Sequence, residues 1–323
     1  MTKENQKMRV GVIGAGRMGQ FHVNVYSEMP EAELVGVSDV DETRGKAVAD
    51  KYKIEYFKDF RDLLKKVDVV SVVVPTKLHY DVAKEVIAAG VHLLVEKPIS
   101  DNYEKAKELF DLAEQRGVVL HVGHVERFNG AVQELHKIVE DPILIQCSRM
   151  GPFDPRVAED SVVLDLMIHD IDIVLNLVNS PVETLHVTSA SPFSKVEDVV
   201  NVQVKFASGC LATFTASRAT QNKLRNMAIS CRNHYVFLNF ADQDIHVHRL
   251  ASSATELSRQ ELKYREESRT ERIFVHRDNP LKLELRHLIH CVNGADRKVS
   301  VENELKSLRL AMDILELCRR GRR

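Results

Sequence analysis

Apolar positions along the chain follow two regimes. Over the first 124 positions, short apolar runs alternate with amphipathic stretches of helical period. The runs 10–13, 33–39, 67–74, 91–95 and 118–122 read as strands, and 43–52, 59–66, 79–89 and 103–116 as helices. The run 67–74 is almost pure valine, the signature of a strand covered on both faces. Such alternation predicts a doubly wound parallel sheet.

Beyond 125 the rhythm changes. Helices are expected at 131–139 and 162–177, with an extended segment at 143–149 between them. Strand patterns follow at 184–190, 197–207, 210–219, 224–231, 234–239 and 244–248, with Ser208-Gly209 and Arg232-Asn233 at hairpin positions. This predicts a mostly antiparallel sheet, covered by helices on one face. The open face is expected to be apolar and to meet a second copy in a homodimer or homotetramer. The polar stretch 249–270 reads as an exposed arm, and helices near 280–293 and 302–319 close the chain, free to pack back on the first domain.

At 323 residues two domains are expected, 1–124 and 125–323. The 45 basic and 47 acidic residues exclude a general attraction to nucleic acid or to a membrane surface. No apolar run suffices to cross a bilayer, and residues 1–7 lack the apolar core of a signal peptide. The five cysteines are scattered without CxxC spacing, so free thiols in a reducing cytoplasm are expected and a structural metal is not.

The chemistry begins where the first strand breaks into Gly14-Ala15-Gly16-Arg17-Met18-Gly19. Gly14 permits a sharp turn, Gly16 admits a pyrophosphate close to the backbone, and Gly19 lets the helix approach the strand. The helix amides and dipole then face the anion. Asp39 lies twenty residues on, at the end of the second strand, where a carboxylate receives ribose hydroxyls and repels a 2′-phosphate. No Arg or Lys directly follows it, which favours NAD over NADP.

In an open parallel sheet, ligands bind beyond the carboxyl ends of the strands. Pro75, Thr76 and His79 fall there, as do Glu96-Lys97-Pro98 and the segment from Gly123 to Asn129. Lys97 suits a cation polarising a substrate oxygen beside the nicotinamide, against the plainer reading of a solvated turn lysine. In a helix, Asp165, His169 and Asp172 share one face, with Asp170 turned away. A histidine among carboxylates suits a proton acceptor of fixed tautomer, against the plainer reading of a salt-bridge network.

Gly14–Gly19, the run from Pro75 to His79, Glu96-Lys97-Pro98, Arg127-Phe128 and Asp165-x-x-x-His169 together resemble the glucose–fructose oxidoreductase/inositol dehydrogenase family. The resemblance implies a Rossmann domain followed by an open-faced α+β domain. It further implies NAD(P)-dependent oxidation of a sugar or cyclitol carbinol, with Lys97, Asp165 and His169 as the catalytic group. Val74 departs from the family, which often has Thr before the proline. The segments 123–129, 149–153 and 163–172 are similar to the branch that oxidises C3 of UDP-N-acetylglucosamine for lipid A assembly. A sugar nucleotide would then be the substrate, with Arg127, Asn129, Asp172 and Arg218 on its side of the site. Arg149, Arg156 and Arg225 are further cations suited to a diphosphate. Two alternatives stay open: a dehydrogenase of inositol or a free sugar, and a non-catalytic NAD(H) sensor.

Overall fold

The computed structural model describes residues 7–155, 159–250 and 268–321. The chain divides into two compact units, the first running through Phe128 and taking in Asp278–Met312, the second comprising Asn129–Arg277 and Asp313–Arg323. No described helix is long and apolar enough to cross a membrane.

The first unit is built on six parallel strands: β1 (Met8–Ile13), β2 (Ala32–Ser38), β3 (Glu55–Phe57), β4 (Val69–Val72), β5 (His92–Glu96) and β6 (Leu120–Gly123). Their order is β3-β2-β1-β4-β5-β6, so the strand order reverses between β1 and β4, the place where such sheets open a crevice for a ligand. The valines of β4 are fully buried, because helices cover both faces of the sheet. The helices are α1 (Arg17–Glu28), α2 (Glu42–Tyr52), α3 (Phe60–Leu64), α4 (Thr76–Ala88) and α5 (Tyr103–Arg116). Short β3 escaped the sequence reading, since three residues carry too little period to detect.

Side-chain caps set several helix starts. Asp41 accepts the Arg44 amide and Asn102 the Lys105 amide. Gly117, at φ 65°, ends α5. Helix α1 differs: Gly16 is its N-cap and supplies no side-chain acceptor, so its first amides remain available to an external anion.

The second unit holds α6 (Gly130–Ile138), β7 (Leu144–Met150), α7 (Ile168–Val178), and the strands β8 (Val182–Ala190), β9 (Val199–Phe206), β10 (Leu211–Ser217), β11 (Leu224–Ser230), β12 (His234–Asn239), β13 (Asp244–Leu250) and β14 (Ser268–Ile273). Its eight strands run β14-β13-β12-β11-β7-β10-β9-β8, with only the central β7–β10 pair parallel. Gly209, at φ +87°, makes the β9–β10 turn that Ser208-Gly209 announced. The stretch read as an arm, 249–270, takes in the end of β13 and the start of β14; the residues between, 251–267, lie outside the described residues. Arg156 does too.

One expectation is corrected here. The open face of this sheet is not apolar: Gln146, Asn201, Gln203, Lys205, Thr213 and Thr215 point away from the buried side. Strand alternation is the reason, since Val200, Val202, Val204 and Phe206 all turn inward and leave the intervening polar residues outward.

Two helices follow, α8 (Pro280–Val292) and α9 (Val301–Gly321). Within the first unit, Leu281, Leu285, Leu288 and Ile289 of α8 pack with Val10, Val23 and Tyr26 on one side of the parallel sheet. Leu308 of α9 joins Leu109 and Phe110 on the other. Each such side chain contributes roughly 1.5–3 kcal/mol on burial.

Candidate active site

The glycine loop between β1 and α1 has the geometry of a pyrophosphate cradle. Gly14 has φ +105°, and a Cβ there would lie 2.4 Å from the Val73 carbonyl oxygen. A Cβ on Gly19 would lie 1.8 Å from the Gly14 oxygen, so α1 can leave the strand at this angle only with glycine. Gly16 is different in kind, because a Cβ there meets nothing within 4 Å. No protein contact requires that glycine, which leaves a ligand as its reason. Arg17 and Met18 are exposed beside it.

Asp39 is tied directly to this loop. Its Oδ2 accepts the Ala15 amide at 2.7 Å and its Oδ1 the Asp41 amide at 2.8 Å. Arg44 closes on the same carboxylate, Nη2 to Oδ1 at 2.7 Å and Nε to Oδ2 at 3.1 Å. Burial raises the Asp39 carboxyl, but Arg44 and the two amides outweigh it and hold the group below its usual value. No basic residue directly follows Asp39 in the sequence; Arg44, the nearest one after it, reaches the carboxylate from the first turn of α2. Arg44 is about half-exposed while Asp39 is buried, so a ribose reaching this carboxylate shares it with a two-point pair that solvent screens from the arginine side only.

At the carboxyl ends of β4 and β5, buried polar contacts brace two loops. His79 sits in the second turn of α4 with Nδ1 2.7 Å from the Pro98 oxygen and Nε2 2.8 Å from the Val74 oxygen. The ring therefore spans the loop after β4 and the loop that carries Lys97. Pro75 is the N-cap of α4 and Thr76 its first residue. Glu96 ends β5; its Oε1 lies 3.0 Å from Nε2 of fully buried His22, and its Oε2 accepts the Lys97 amide at 3.3 Å. Burial raises the Glu96 carboxyl, yet the His22 hydrogen bond and the charges of His22, Lys97 and His79 leave it lowered. Gly123 makes room for it, since a Cβ there would touch the carboxylate at 3.0 Å. Lys97 itself is half-buried.

His22 was missed by the sequence reading. Its signal was a histidine on the inward stripe of α1, beside Val23 and Tyr26, where packing alone calls for an apolar side chain. Glu304 was missed too and carries no local signal. Arg127 donates to it from Nη1 at 2.6 Å and from Nη2 at 2.8 Å. The Arg127 guanidinium is thus engaged inside the first unit.

In the second unit, the sequence expected one regular α-helix over 162–177. The structure corrects this: Val163–Met167 is a π-helical turn, closed by the Ile168 amide on the Val163 oxygen, and α7 begins only after it. Asp165 therefore lies in the wider i→i+5 turn, while His169 lies in the first turn of the α-helix that follows it. Both are half-buried, whereas Asp172 is buried and accepts from Asn176. Asp170 turns inward to Arg149, accepting its Nε at 3.1 Å and its Nη2 at 2.8 Å, and Arg149 lies over the Phe240 ring at 4.7 Å. That pair removes Arg149 from the set of available cations. Asn129 caps α6 and donates to the Phe240 oxygen at 3.0 Å. Arg218 is buried, with Nη2 on the Asp160 oxygen at 2.5 Å.

The structure therefore gathers Gly14, Gly16, Gly19 and Asp39 at one end of the parallel sheet, and His79, Glu96 and Lys97 on its adjoining loops. It sets Asp165 on the π-turn of the second unit and His169 in the first turn of α7. An uncapped helix start, a cradle open at Gly16 and a carboxylate bonded directly to the loop fit a dinucleotide.

Comparison with known proteins agrees with this geometry. Residues 8–124 match an oxidoreductase family, NAD-binding Rossmann fold, and residues 141–236 match the GFO/IDH/MocA C-terminal domain. A UDP-N-acetylglucosamine 3-dehydrogenase from Acidithiobacillus ferrooxidans is 35% identical over 243 residues, covering 75% of this chain and 77% of that protein. An inositol 2-dehydrogenase from Rubrobacter xylanophilus is 28% identical, covering 66% of this chain and 65% of that one. The solved structure of the Acidithiobacillus ferrooxidans enzyme superposes with a TM-score of 0.88 at 27% identity, covering 96% of this chain and 97% of that one.

Proposed function

The chain belongs to the GFO/IDH/MocA oxidoreductase family, and from that premise we propose that it oxidises a sugar nucleotide, UDP-N-acetylglucosamine, at C3. The observation that carries this reading is the similarity to a UDP-N-acetylglucosamine 3-dehydrogenase over three quarters of the sequence.

Bound NAD would supply a hydride acceptor for the carbinol carbon. Gly14, Gly16, Arg17, Met18, Gly19 and Asp39 would hold it, with Pro75, Thr76, His79 and Glu96 shaping the adjoining loops. In this reading Lys97 holds its ammonium against the reacting oxygen and stabilises alkoxide character as the proton leaves. His169 takes that proton, and Asp165 fixes its ring. Glu96, bonded to both His22 and the Lys97 amide, keeps the lysine loop in place. Arg127, Asn129, Asp172 and Arg218 belong to the substrate side as supports for the surrounding backbone, since each is already engaged within the protein. The five free thiols suit a reducing cytoplasm. Association of copies through the mixed-polarity open sheet face completes the reading.

A second reading, an inositol or free-sugar dehydrogenase, is favoured by the likeness to inositol 2-dehydrogenase. The test is NADH formation with NAD and a panel of UDP-sugars, free sugars and myo-inositol, with a carbonyl trap to draw the equilibrium. Turnover confined to UDP-N-acetylglucosamine supports the proposal. Turnover on inositol alone replaces the substrate, and silence with NAD still bound points to a redox sensor. Lys97→Met is expected to abolish turnover while NAD affinity stays within about threefold; retained turnover removes Lys97 from the chemistry.

A further inference from the structure

We propose that His121, His287 and Cys291 form a site for a borderline-soft transition-metal ion of the zinc class, pinning helix α8 to the edge strand β6. His121 lies within β6, while His287 and Cys291 are four apart on α8 and so share one face of that helix. A ligand atom from each, a ring nitrogen from either histidine and the cysteine sulfur, lies within 4.8 Å of the other two. The Cys291 Sγ is 3.5 Å from His287 Nε2, and the two imidazole rings stand 5.3 Å apart.

A second observation points the same way. His121 is only 7% exposed, yet its Nε2 is buried without a hydrogen-bond partner. An unmet imidazole nitrogen in a protein interior is unfavourable unless something occupies it. Two imidazoles and a thiolate are the three protein ligands of a zinc site with one position open. Thiolate and imidazole together select zinc-like ions over magnesium or calcium. Beside the histidines lies a cavity of about 20 Å³, lined also by the cations Arg127, Arg297 and Lys298 and by the carboxylates Glu284 and Glu304, with room for one water as fourth ligand.

Neutrality favours the ligands. Burial, aided by Arg297, His287 and Arg127, lowers His121 to about 3. Burial with Lys298, His290 and Arg297 lowers His287 to about 4. Burial raises the Cys291 thiol, so metal entry must expel its proton. The thiolate formed, with Glu284 and Glu304 nearby, offsets the cations Arg127, Arg297 and Lys298. Two local bonds are exchanged: the Lys298 amide on His287 Nε2 at 3.2 Å, and the Cys291 thiol on the Asp296 oxygen at 3.5 Å. Tetrahedral zinc sets its ligand atoms roughly 3.3–3.6 Å apart, so the trio closes by about 1 Å on binding. The absence of CxxC spacing, which argued against a metal from sequence, does not bear on a site assembled from a strand and a distant helix.

The test is titration of the untagged, metal-free full chain with cobalt(II), then competition with zinc(II). The expected result is one equivalent bound with a thiolate-to-cobalt charge-transfer band. That band should vanish in Cys291→Ser and in His287→Gln but persist in Cys318→Ser. Zinc should raise the thermal midpoint of the wild type and of Cys318→Ser, and leave that of Cys291→Ser unmoved. A wild type without the charge-transfer band, or a band that survives Cys291→Ser, overturns the site. None of these readouts depends on NAD or on turnover.

Discussion

Gly16→Ala offers a clean separation of binding from folding. A Cβ at this position meets no atom within 4 Å, and the backbone sits at φ −65°, which alanine adopts freely. Two small effects on stability oppose each other. Alanine is a poorer N-cap than glycine by roughly 0.5–1 kcal/mol, while the loss of unfolded-chain freedom returns about 0.4–1 kcal/mol. The net change is within about 0.5 kcal/mol, or about 2 °C in the midpoint of a domain this size. For the cofactor, the methyl stands where the pyrophosphate must approach the first amides of α1. Losing one charge-assisted hydrogen bond there costs about 1.5–3 kcal/mol, a tenfold to hundredfold rise in Kd, at about 1.4 kcal/mol per decade. The assay pairs thermal melting without cofactor against NADH titration by fluorescence. Gly14→Ala is the contrasting control. Its φ of +105° and the 2.4 Å approach to Val73 oxygen put about 1–3 kcal/mol of strain into the fold itself. Should Gly16→Ala bind NADH within threefold of wild type, or melt as early as Gly14→Ala, the assignment of this loop to the pyrophosphate is wrong.

Other consequences are equally open to measurement. Arg149→Met strands the buried Asp170 carboxylate and should cost about 3–5 kcal/mol in urea unfolding; adding Asp170→Leu should recover most of it, and additivity of the two losses would refute the pairing. Arg44→Ala removes a largely exposed partner of Asp39, so stability should fall by no more than about 1 kcal/mol and NAD affinity stay within a few-fold. A tenfold loss of affinity would place Arg44 on the cofactor. Glu96 is held below its usual value, so its favourable contribution is complete above the unfolded carboxyl range near 4.3 and disappears as pH falls through the lower folded value. Unfolding curves from pH 7 to 3 should therefore show wild type losing more stability at the acid end than Glu96→Gln; parallel curves would contradict this.

Much of the architecture was legible from local pattern. Alternating runs of period two and 3.6 announced the parallel sheet and its helices, because each element must bury one face. The glycine turn and its neighbour Asp39 were expected together from spacing alone, since backbone sterics and the first strand–turn–helix act over neighbouring residues, and the Ala15 amide does bond the Asp39 carboxylate. Other features depend on partners remote in the chain. The π-turn carrying Asp165 left no mark in composition, for α- and π-hydrogen bonding suit the same apolar sequence. Arg44 is only five residues from Asp39, but that its guanidinium closes on the carboxylate is decided by the β2–α2 turn. Arg127 read as a free cation until Glu304, from the last helix, was found against it. The outward face of the second sheet was misjudged because hydrophobic totals ignore which side of a strand each residue takes. Local chain physics, written in spacing and period, thus determined the two folds and the cofactor loop. Which charges are satisfied, which glycines are structural and which histidines meet a thiol were decided only when tertiary packing brought residues from opposite ends of the chain together, because a buried polar group is defined by the partners that surround it.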